Sequence, residues 1–223
     1  MSLAIIHEDE RIIAVSKPAG QLVIPGRSAL PAAETLKAEV ERHAGAKIFV
    51  VHRLDRESSG IVLFAKDPDC HRRLCGQFAK RQVHKFYLAL ASGEIAEDGL
   101  IKAPIREYGS GRMGVHPEGK PARTIYRVLK RFPAATLLEV EPLTGRRHQI
   151  RVHLYHIGHP LLGDDRYGGD LPVAGAGRLM LHACRVAFRH PDGRKLLLDA
   201  PPGDDFNGIV EKASATGFAS GAG

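Results

Sequence analysis

The sequence VHRLDRESSG, residues 51–60, places a short charged segment between two apolar runs. KIFVV precedes it over residues 47–51, and IVLFA follows it over residues 61–65. Short runs rich in Val, Ile and Phe are typical of buried β-strands. A charged segment between two buried strands is either an ordinary surface loop or a loop held in place for chemistry. Asp55, which follows an Arg and a Leu, is the residue on which that distinction depends.

The chain on either side of this loop carries further strand and helix signals. AIIHEDERIIAV, residues 4–15, predicts two short strands around an acidic turn. Residues 30–45 have the apolar spacing of an amphipathic helix that ends near Gly45. Asp67 and Pro68 form a favourable N-cap and first-turn pair, and they predict a helix that runs to about residue 81.

Alternation predicts a strand in KFYLALASGEI, residues 85–95. Phe86, Leu88 and Leu90 would point one way, and Tyr87, Ala89 and Ala91 the other. Tyr87 would therefore share its face with small residues, which leaves room beside its ring. An ordinary core tyrosine explains the same pattern equally well.

The remaining segments predict an α+β fold, a single catalytic domain with a mixed, largely antiparallel sheet flanked by helices and loops. We expect a strand pair in residues 124–132 and 135–143, an exposed mobile loop in 106–122, a helix within 144–160, and two strands joined at Pro-Asp-Gly in 179–201. We assign residues 1–210 to the domain. Residues 211–223 lack core-forming side chains, and we expect a disordered tail there.

Composition limits the class of protein. The chain has 223 residues and a formal net charge of +7, which favours either a solubilising basic surface or a polyanionic partner such as nucleic acid. No apolar run approaches the roughly 20 residues that a membrane span needs. The acidic N-terminal segment does not match a signal peptide. Three irregularly spaced cysteines predict neither a disulfide framework nor structural zinc. We therefore expect a reduced, cytoplasmic, soluble protein.

A cluster of histidines, His148, His153, His156 and His159, raises the question of a metal site. On a helix His156 would lie near both His153 and His159, but HExxH and interleaved acidic ligands are absent. We expect no metal, and instead histidines that are solvated or that face phosphate. The dinucleotide and P-loop signatures GxGxxG and GxxxxGK[ST] are also absent, so we expect no nucleotide cofactor.

Several segments, in order, resemble the motifs of RluA-type pseudouridine synthases. They are IIAVSKPAGQLV (12–23), VHRLDRESSGIVLFAK (51–66), QFAKRQVHKFYLAL (77–90), GKPARTIYRVL (119–129), EPLTGRRHQIRVHLYHIGHPLLGDDRYG (141–168) and LMLHA (179–183). One HRLD sequence alone would be weak support. The ordered series covers roughly residues 4–200 and is far more specific.

The resemblance implies isomerisation of uridine to pseudouridine within RNA, a reaction without redox step, energy donor or cofactor. It implies that Asp55 is the catalytic aspartate and that Arg151 keeps the carboxylate ionised through a bidentate contact. A purely structural Asp–Arg pair is the competing interpretation. It also implies that Tyr87 is the active-site tyrosine, which stacks on the target base and takes part in proton removal.

The same resemblance extends to substrate contacts. Ile150 would line the apolar side of the pocket, although core packing explains it too. Arg53 resembles a residue that fills the space left by a flipped nucleotide, and a surface Arg gripping phosphate is the alternative. Arg146 and Arg147, with Arg72, Arg73, Lys80 and Arg81, would contact phosphates, which position RNA without specifying its sequence.

Two consequences concern the partner. From this resemblance we expect the chain to begin at the catalytic core, without the N-terminal accessory RNA-binding domain of many relatives, and we expect the core itself to select its target. That target is RNA, either 23S rRNA, tRNA or both, and we expect a monomer. The alternative function is a non-catalytic RNA-binding or ribosome-assembly protein that uses the same fold.

Overall fold

The structure is a computed structural model that describes residues 3–25, 34–109, 111–168 and 176–216. It forms two compact units. Unit 1 comprises residues 1–85 and 183–201, and unit 2 comprises residues 86–182 and 202–223. The single domain predicted over residues 1–210 stays a prediction. The boundaries after residues 85 and 182 fall inside strands, so no linker composition marks these two in the sequence.

The described residues form twelve strands and four helices. The strands are β1 (Ile5–Glu8), β2 (Ile12–Lys17), β3 (Phe49–Val50), β4 (Ser59–Ala65), β5 (His84–Ser92), β6 (Gly99–Lys102), β7 (Ile105–Glu107), β8 (Met113–Val115), β9 (Arg123–Phe132), β10 (Ala135–Pro142), β11 (Leu181–Arg189) and β12 (Lys195–Asp199). The helices are α1 (Leu36–Ala44), α2 (Pro68–Ala79), α3 (Gln149–His156) and α4 (Asp204–Thr216). None of these helices has the length and apolar character needed to cross a bilayer.

Unit 1 is organised around β4, in which every residue is buried. β4 pairs with β2 in antiparallel register, with Ile12 opposite Ala65 and Lys17 opposite Gly60. Helix α2 packs Cys70 and Leu74 into the same core, with Phe78 against it. The Asp67 carboxylate accepts a hydrogen bond from the Cys70 N–H at 2.9 Å, which confirms the N-cap predicted for this helix.

Unit 2 is built on the antiparallel strands β5, β10, β9 and β6. The alternation predicted for β5 is confirmed. Ala89 and Ala91 are buried in one core cluster with Leu138 and Val140. Leu90 belongs to a different cluster, which includes residues of α4. The sheet is thus covered on both faces, as its apolar pattern requires.

The segment predicted as an exposed, mobile loop, residues 106–122, contains the β7–β8 hairpin instead. Ile105, Met113 and Ala122 are buried in one cluster with Val152 and Tyr167. Strands of three residues carry too little periodicity to be detected in a Gly-rich sequence, so the hairpin was missed. Residues 106–109 are exposed, as predicted.

The tail predicted to be disordered from residue 211 is also different. Helix α4 extends to Thr216, and Ala213 is fully buried against the cluster that contains Phe206 and Ile209. An alanine gives a weak hydrophobic signal in sequence, yet it packs closely when its helix lies on a core. Residues 217–223 lie outside the described residues.

Candidate active site

The loop that carries Asp55 is bound to the turn after β2 by a buried lysine. Lys17 is only 1% exposed, and its ammonium donates to the carbonyl oxygens of Pro18, Gln21 and Arg56 at 2.8, 2.8 and 3.0 Å. Residues 51–58 form no helix or strand, so these bonds replace regular structure in fixing them. A buried ammonium is costly unless its donors are satisfied, and carbonyl oxygens satisfy them here.

Two further contacts close this loop. The Arg56 carbonyl accepts from the Gly20 N–H at 2.8 Å, and the Arg56 Nε donates back to the Gly20 carbonyl at 2.9 Å. Gly20 has φ +85°, a conformation that glycine adopts without strain. Asp55 itself is half-buried, and its carbonyl accepts from the Ser58 N–H at 3.3 Å. Hydrogen bonds at Arg56 and Ser58 therefore fix the backbone next to Asp55.

Gly60, the second residue of β4, brings this strand against β11. A Cβ at this position would lie 2.2 Å from the Ala183 carbonyl oxygen, and the residue has φ +110°. No other residue type fits without moving one of the two strands. The start of β4, four residues after Asp55, thus depends on this glycine.

His52 fixes the chain on the other side of Asp55. Its Nε2 accepts a hydrogen bond from the Leu63 N–H at 3.1 Å, so this nitrogen carries no proton. The ring stacks on Phe78 with centroids 4.9 Å apart. Burial, with a smaller contribution from the charge of Lys85, lowers the pKa of His52 to about 3. His52 is therefore a neutral structural group.

In unit 2, Tyr87 and Ile150 belong to one apolar cluster. Tyr87 is half-buried and packs against the cluster that contains Ala89, Val140 and Ile150. Ile150 is only 6% exposed, so the core-packing interpretation of this residue is confirmed. The structure thus associates these two predicted residues with the same apolar cluster.

Arg151 is buried and forms an ion pair with Asp164. Its Nε donates to Asp164 Oδ2 at 2.8 Å and its Nη2 to Asp164 Oδ1 at 2.7 Å. The side chains are 2% and 0% exposed. Asp164 Oδ1 also accepts from the N–H groups of Arg166 and Tyr167, both at 3.0 Å. The bidentate carboxylate partner of Arg151 within unit 2 is therefore Asp164, a residue that the sequence analysis did not single out.

Tyr167 completes the surroundings of Arg151. The guanidinium carbon lies 5.2 Å from the centre of the Tyr167 ring, within cation–π distance. The Tyr167 hydroxyl accepts from the Met113 N–H at 3.2 Å and forms a second hydrogen bond with His148 Nδ1 at 2.8 Å. Burial raises the pKa of the Tyr167 phenol. One tyrosine thus joins the β7–β8 hairpin to the start of α3.

His156 is exposed, as the sequence predicted, but His153 has different surroundings. His153 is fully buried, with Nδ1 2.8 Å from Thr124 Oγ1 and Nε2 2.9 Å from the Ala103 carbonyl oxygen. Burial lowers the pKa of His153. It is therefore neither solvated nor able to face phosphate, and that prediction was wrong for it. Within the described ranges no three His, Cys, Asp or Glu side chains converge as a metal site would require.

The predicted phosphate contacts lie on the surface of both units. Arg53 is exposed in unit 1. Arg147 is exposed in unit 2 and pairs with Glu107 of the β7–β8 hairpin at 2.8 Å. Arg146 is half-buried and donates to the Pro121 carbonyl at 3.3 Å. Asp55 belongs to unit 1 and Tyr87 and Arg151 to unit 2, so the predicted contact between Asp55 and Arg151 stays a prediction.

Sequence reasoning missed Lys17, His52 and Asp164, although each lies inside a quoted motif. Lys17 follows the apolar run IIAV, and a lysine that continues a buried strand indicates a charge with internal partners. Asp164 precedes another acid, Asp165, which is 80% exposed, and the sequence does not distinguish the two.

Comparison with known proteins gives the family. The chain is 40% identical to ribosomal large subunit pseudouridine synthase D of Nitrosomonas europaea, over 94% of this chain and 64% of that protein. It is 37% identical to the dual-specificity RNA pseudouridine synthase RluA of Pasteurella multocida, over 90% and 93% of the two chains. The chain therefore spans somewhat under two thirds of the length of the first relative.

Solved structures agree. Human RNA pseudouridylate synthase domain containing 4 matches with a TM-score of 0.78 at 25% identity, over 94% of this chain and 92% of that one. The α+β fold predicted from the sequence is thus confirmed. The sequence profile of the RNA pseudouridylate synthase family matches residues 11–156. This chain belongs to the RNA pseudouridylate synthase family.

Proposed function

We propose that this protein is an RNA pseudouridine synthase, an isomerase that converts selected uridines in RNA to pseudouridine. One observation carries the proposal within the family: the half-buried Asp55 lies on an irregular loop that Lys17 and Gly20 hold by hydrogen bonds. A merely solvated acid needs no such support. A catalytic carboxylate needs it, because activity depends on positioning within about 0.5 Å.

The reaction balances without any co-reactant. The bond from C1′ to N1 of the base breaks, the detached base rotates, and a bond from C1′ to C5 forms. The proton lost from C5 is matched by the proton that N1 gains. In this proposal the ionised carboxylate of Asp55 either attacks the sugar or the ring, or assists a glycal intermediate.

Arg151 is the proposed cationic partner that keeps Asp55 ionised. Asp164 binds the Nε–Nη2 edge of the guanidinium. In this arrangement Asp164 orients Arg151, and the two N–H groups of Arg166 and Tyr167 in turn orient Asp164. Such support of a functional group by buried neighbours is a general requirement of active sites.

Tyr87 is proposed to stack on the target base and to assist removal of the C5 proton. The apolar cluster that contains Ile150 supports the tyrosine ring from within unit 2. Ile150 is proposed to contribute the apolar side of the base pocket in addition to its core contacts. The half-buried state of Tyr87 is consistent with a ring that has one packed and one accessible face.

RNA is the proposed partner, and the net charge of +7 supports it. A stacked uridine cannot reach a pocket, so the nucleotide has to flip, at a cost of a few kcal/mol. Arg53 is proposed to occupy the space that the flipped nucleotide leaves. Arg146 and Arg147 are proposed to contact phosphates, and for Arg147 a phosphate would replace the exposed carboxylate of Glu107.

The target is proposed to be 23S rRNA, tRNA or both. The relatives' names point to the ribosomal large subunit in one case and to dual specificity in another, and local sequence does not choose between them. We further infer a cytoplasmic monomer that uses no nucleotide cofactor. Free cysteines support a reducing compartment, since Cys70, Cys75 and Cys184 form no disulfide.

The proposal is tested with a variant of Asp55 that should lose turnover but still fold. Incubation with total RNA, followed by carbodiimide-dependent reverse-transcription stops, maps pseudouridine. Asp55→Asn should abolish the new stops while RNA affinity stays within several-fold of the parent. Glu57→Gln, two residues along the same loop, is the matched control and should retain turnover.

Two outcomes would contradict the proposal. Turnover by Asp55→Asn in a clean preparation would exclude Asp55 as the catalytic group. Tight RNA binding by the parent protein, with no new stops on any RNA from cells lacking this gene product, would favour the alternative of a non-catalytic RNA-binding or ribosome-assembly protein.

A further inference from the structure

Unit 2 contains a groove of about 340 Å³ between the β7–β8 hairpin and helix α3. Tyr108, at the end of β7, and Tyr155, near the end of α3, both line it. These rings are 43% and 47% exposed, among the most exposed large apolar side chains in the described ranges. Val152 and Tyr167 also line it, and both are buried. The groove therefore combines an apolar base with two accessible aromatic rings.

A cation lies beside these rings. Arg112 lines the groove, and its guanidinium carbon is 5.5 Å from the centre of the Tyr167 ring. His156, which is exposed at the end of α3, lines it as well. No acidic side chain is among the residues of the groove in the part of the chain that the structure describes. The charge of the groove thus favours an anionic ligand.

The groove is held by the fold rather than formed by mobile side chains. The Tyr108 ring lies against β8, where a Cβ at Gly114 would come within 2.8 Å of Tyr108 Cε2. The Tyr108 hydroxyl donates to the Val115 carbonyl at 3.4 Å. Tyr167 binds the hairpin through the Met113 N–H. The ring of Tyr108 is thus positioned before any ligand arrives, which lowers the entropic cost of stacking.

Accessible aromatic rings with a nearby guanidinium are the features that bind unpaired nucleobases. A base stacks on a tyrosine whatever its sequence, and the adjacent arginine contacts its phosphate or stacks as well. A protein partner with an acidic, apolar segment would also suit the charge. Because the flat rings stand at an open groove and the family acts on RNA, RNA is the better-supported occupant.

The geometry points to a second RNA subsite in this groove, in which Tyr108 and Tyr155 stack an unpaired base other than the target uridine and Arg112 binds its phosphate. The inference rests on the proposed function only in taking the ligand to be RNA. It adds a substrate contact that none of the predicted site residues supplies. It also gives the β7–β8 hairpin a role in RNA recognition.

The test uses a probe that contains no uridine. Fluorescein-labelled hexaadenylate and an abasic ribose-phosphate hexamer of equal charge are titrated against the full chain, with binding followed by anisotropy. The parent should prefer hexaadenylate. Tyr155→Ala and Tyr108→Ala should each weaken hexaadenylate binding by about 5- to 150-fold, the range for loss of one base–aromatic stack. Neither change should alter binding of the abasic hexamer.

Controls separate stacking from folding and from charge. Tyr155→Phe keeps the ring and should bind hexaadenylate as the parent does. Leu129→Ala removes a side chain that is 51% exposed on β9, outside the groove, and should have no effect. Arg112→Gln should reduce the slope of log affinity against log salt by about 0.7 for both probes, the value for one lost contact to single-stranded phosphate. Unfolding midpoints identify any variant that fails to fold.

Equal binding of the two hexamers, or unchanged hexaadenylate binding by both tyrosine variants, would overturn the inference. An unchanged salt slope for Arg112→Gln would overturn the assignment of its phosphate contact. These results are distinguishable from failure of the proposed function. Absence of pseudouridine formation with intact stacking refutes the reaction, whereas normal turnover with no stacking refutes the subsite.

Discussion

Replacing Asp164 by asparagine tests whether the buried ion pair with Arg151 organises unit 2. The substitution preserves the shape of the side chain and removes its charge. Oδ1 accepts from Arg151 and from two backbone N–H groups, so the amide oxygen has to take that position. The amide nitrogen then replaces Oδ2 and directs its hydrogens at Arg151 Nε, which is a donor 2.8 Å away.

The size of the expected loss of stability follows from the burial of both Asp164 and Arg151. With exposures of 2% and 0%, neither partner can recover its lost interaction from water. Removal of one member of a buried pair costs about 3–5 kcal/mol, because it leaves the other charge desolvated and uncompensated. With a urea dependence of about 2–3 kcal/mol per molar, the midpoint of unfolding should fall by about 1–2.5 M. Activity should fall with it, since Arg151 would lose its fixed orientation.

Urea unfolding followed by circular dichroism measures this effect, with Asp165→Asn as the matched control. Asp165 is 80% exposed and lies 3.5 Å from Arg151 Nη2, so its loss should move the midpoint little. The double variant Arg151→Met with Asp164→Asn should unfold at higher urea than Asp164→Asn alone, because no charge remains buried. Equal shifts for Asp164→Asn and Asp165→Asn, or additive effects in the double variant, would refute the reasoning.

Three further predictions concern the loop that carries Asp55 and the proposed base contact of Tyr87. The folded-state pKa of His52, about 3, lies below its unfolded value, so the unfolded chain binds more protons. The stability that neutral His52 contributes is fully present above pH 6.5 and is lost as pH falls, by about 2 kcal/mol at pH 5. His52→Gln should therefore flatten the pH dependence of the urea midpoint. An unchanged slope would contradict this prediction. Lys17→Met should remove one hydrogen-bond donor from each of three carbonyl oxygens, lower stability by about 2–4 kcal/mol and expose residues 51–58 to limited proteolysis. A cleavage rate equal to that of the parent would show that the lysine does not fix the loop. Tyr87→Phe should keep stacking and lose proton transfer, while Tyr87→Leu should lose both. Equal turnover of the two variants in a single-turnover assay would show that the hydroxyl has no part in the mechanism.

Local sequence signals predicted the elements whose residues depend mainly on their neighbours in the chain. Asp67 and Pro68 mark the start of α2, and alternation marks β5. The β7–β8 hairpin and the end of α4 were missed because distant residues hold them. Tyr167 binds the hairpin from 54 positions along the chain, and Ala213 is buried against a core that its own segment does not form. Contacts between residues that are distant in the chain produce no periodic pattern in the sequence.

Sequence-based prediction has the same limit for the individual side chains of the candidate site. The resemblance directed attention to Arg151 and Asp55, and both lie in segments that the fold holds closely. It did not indicate that Asp164 binds one edge of the guanidinium, because the choice between Asp164 and Asp165 depends on burial and on two backbone N–H groups. Motifs therefore supplied the candidate functional residues, and the structure was needed to find the groups that contact them.

A common physical feature links these positioning groups. Lys17 is a buried charge whose donors are met by carbonyl oxygens, and Arg151 and Asp164 are buried charges that meet each other. Pairs and networks of this kind add little net stability compared with apolar side chains, but they lose much when one member changes. A chain selected only for stability would gain by replacing them with apolar residues. Their presence beside Asp55 and around Arg151 is explained if they fix the direction of functional groups, and stability measurements alone would not detect that role. A variant that restores stability by apolar replacement of Arg151 and Asp164 should therefore remain inactive.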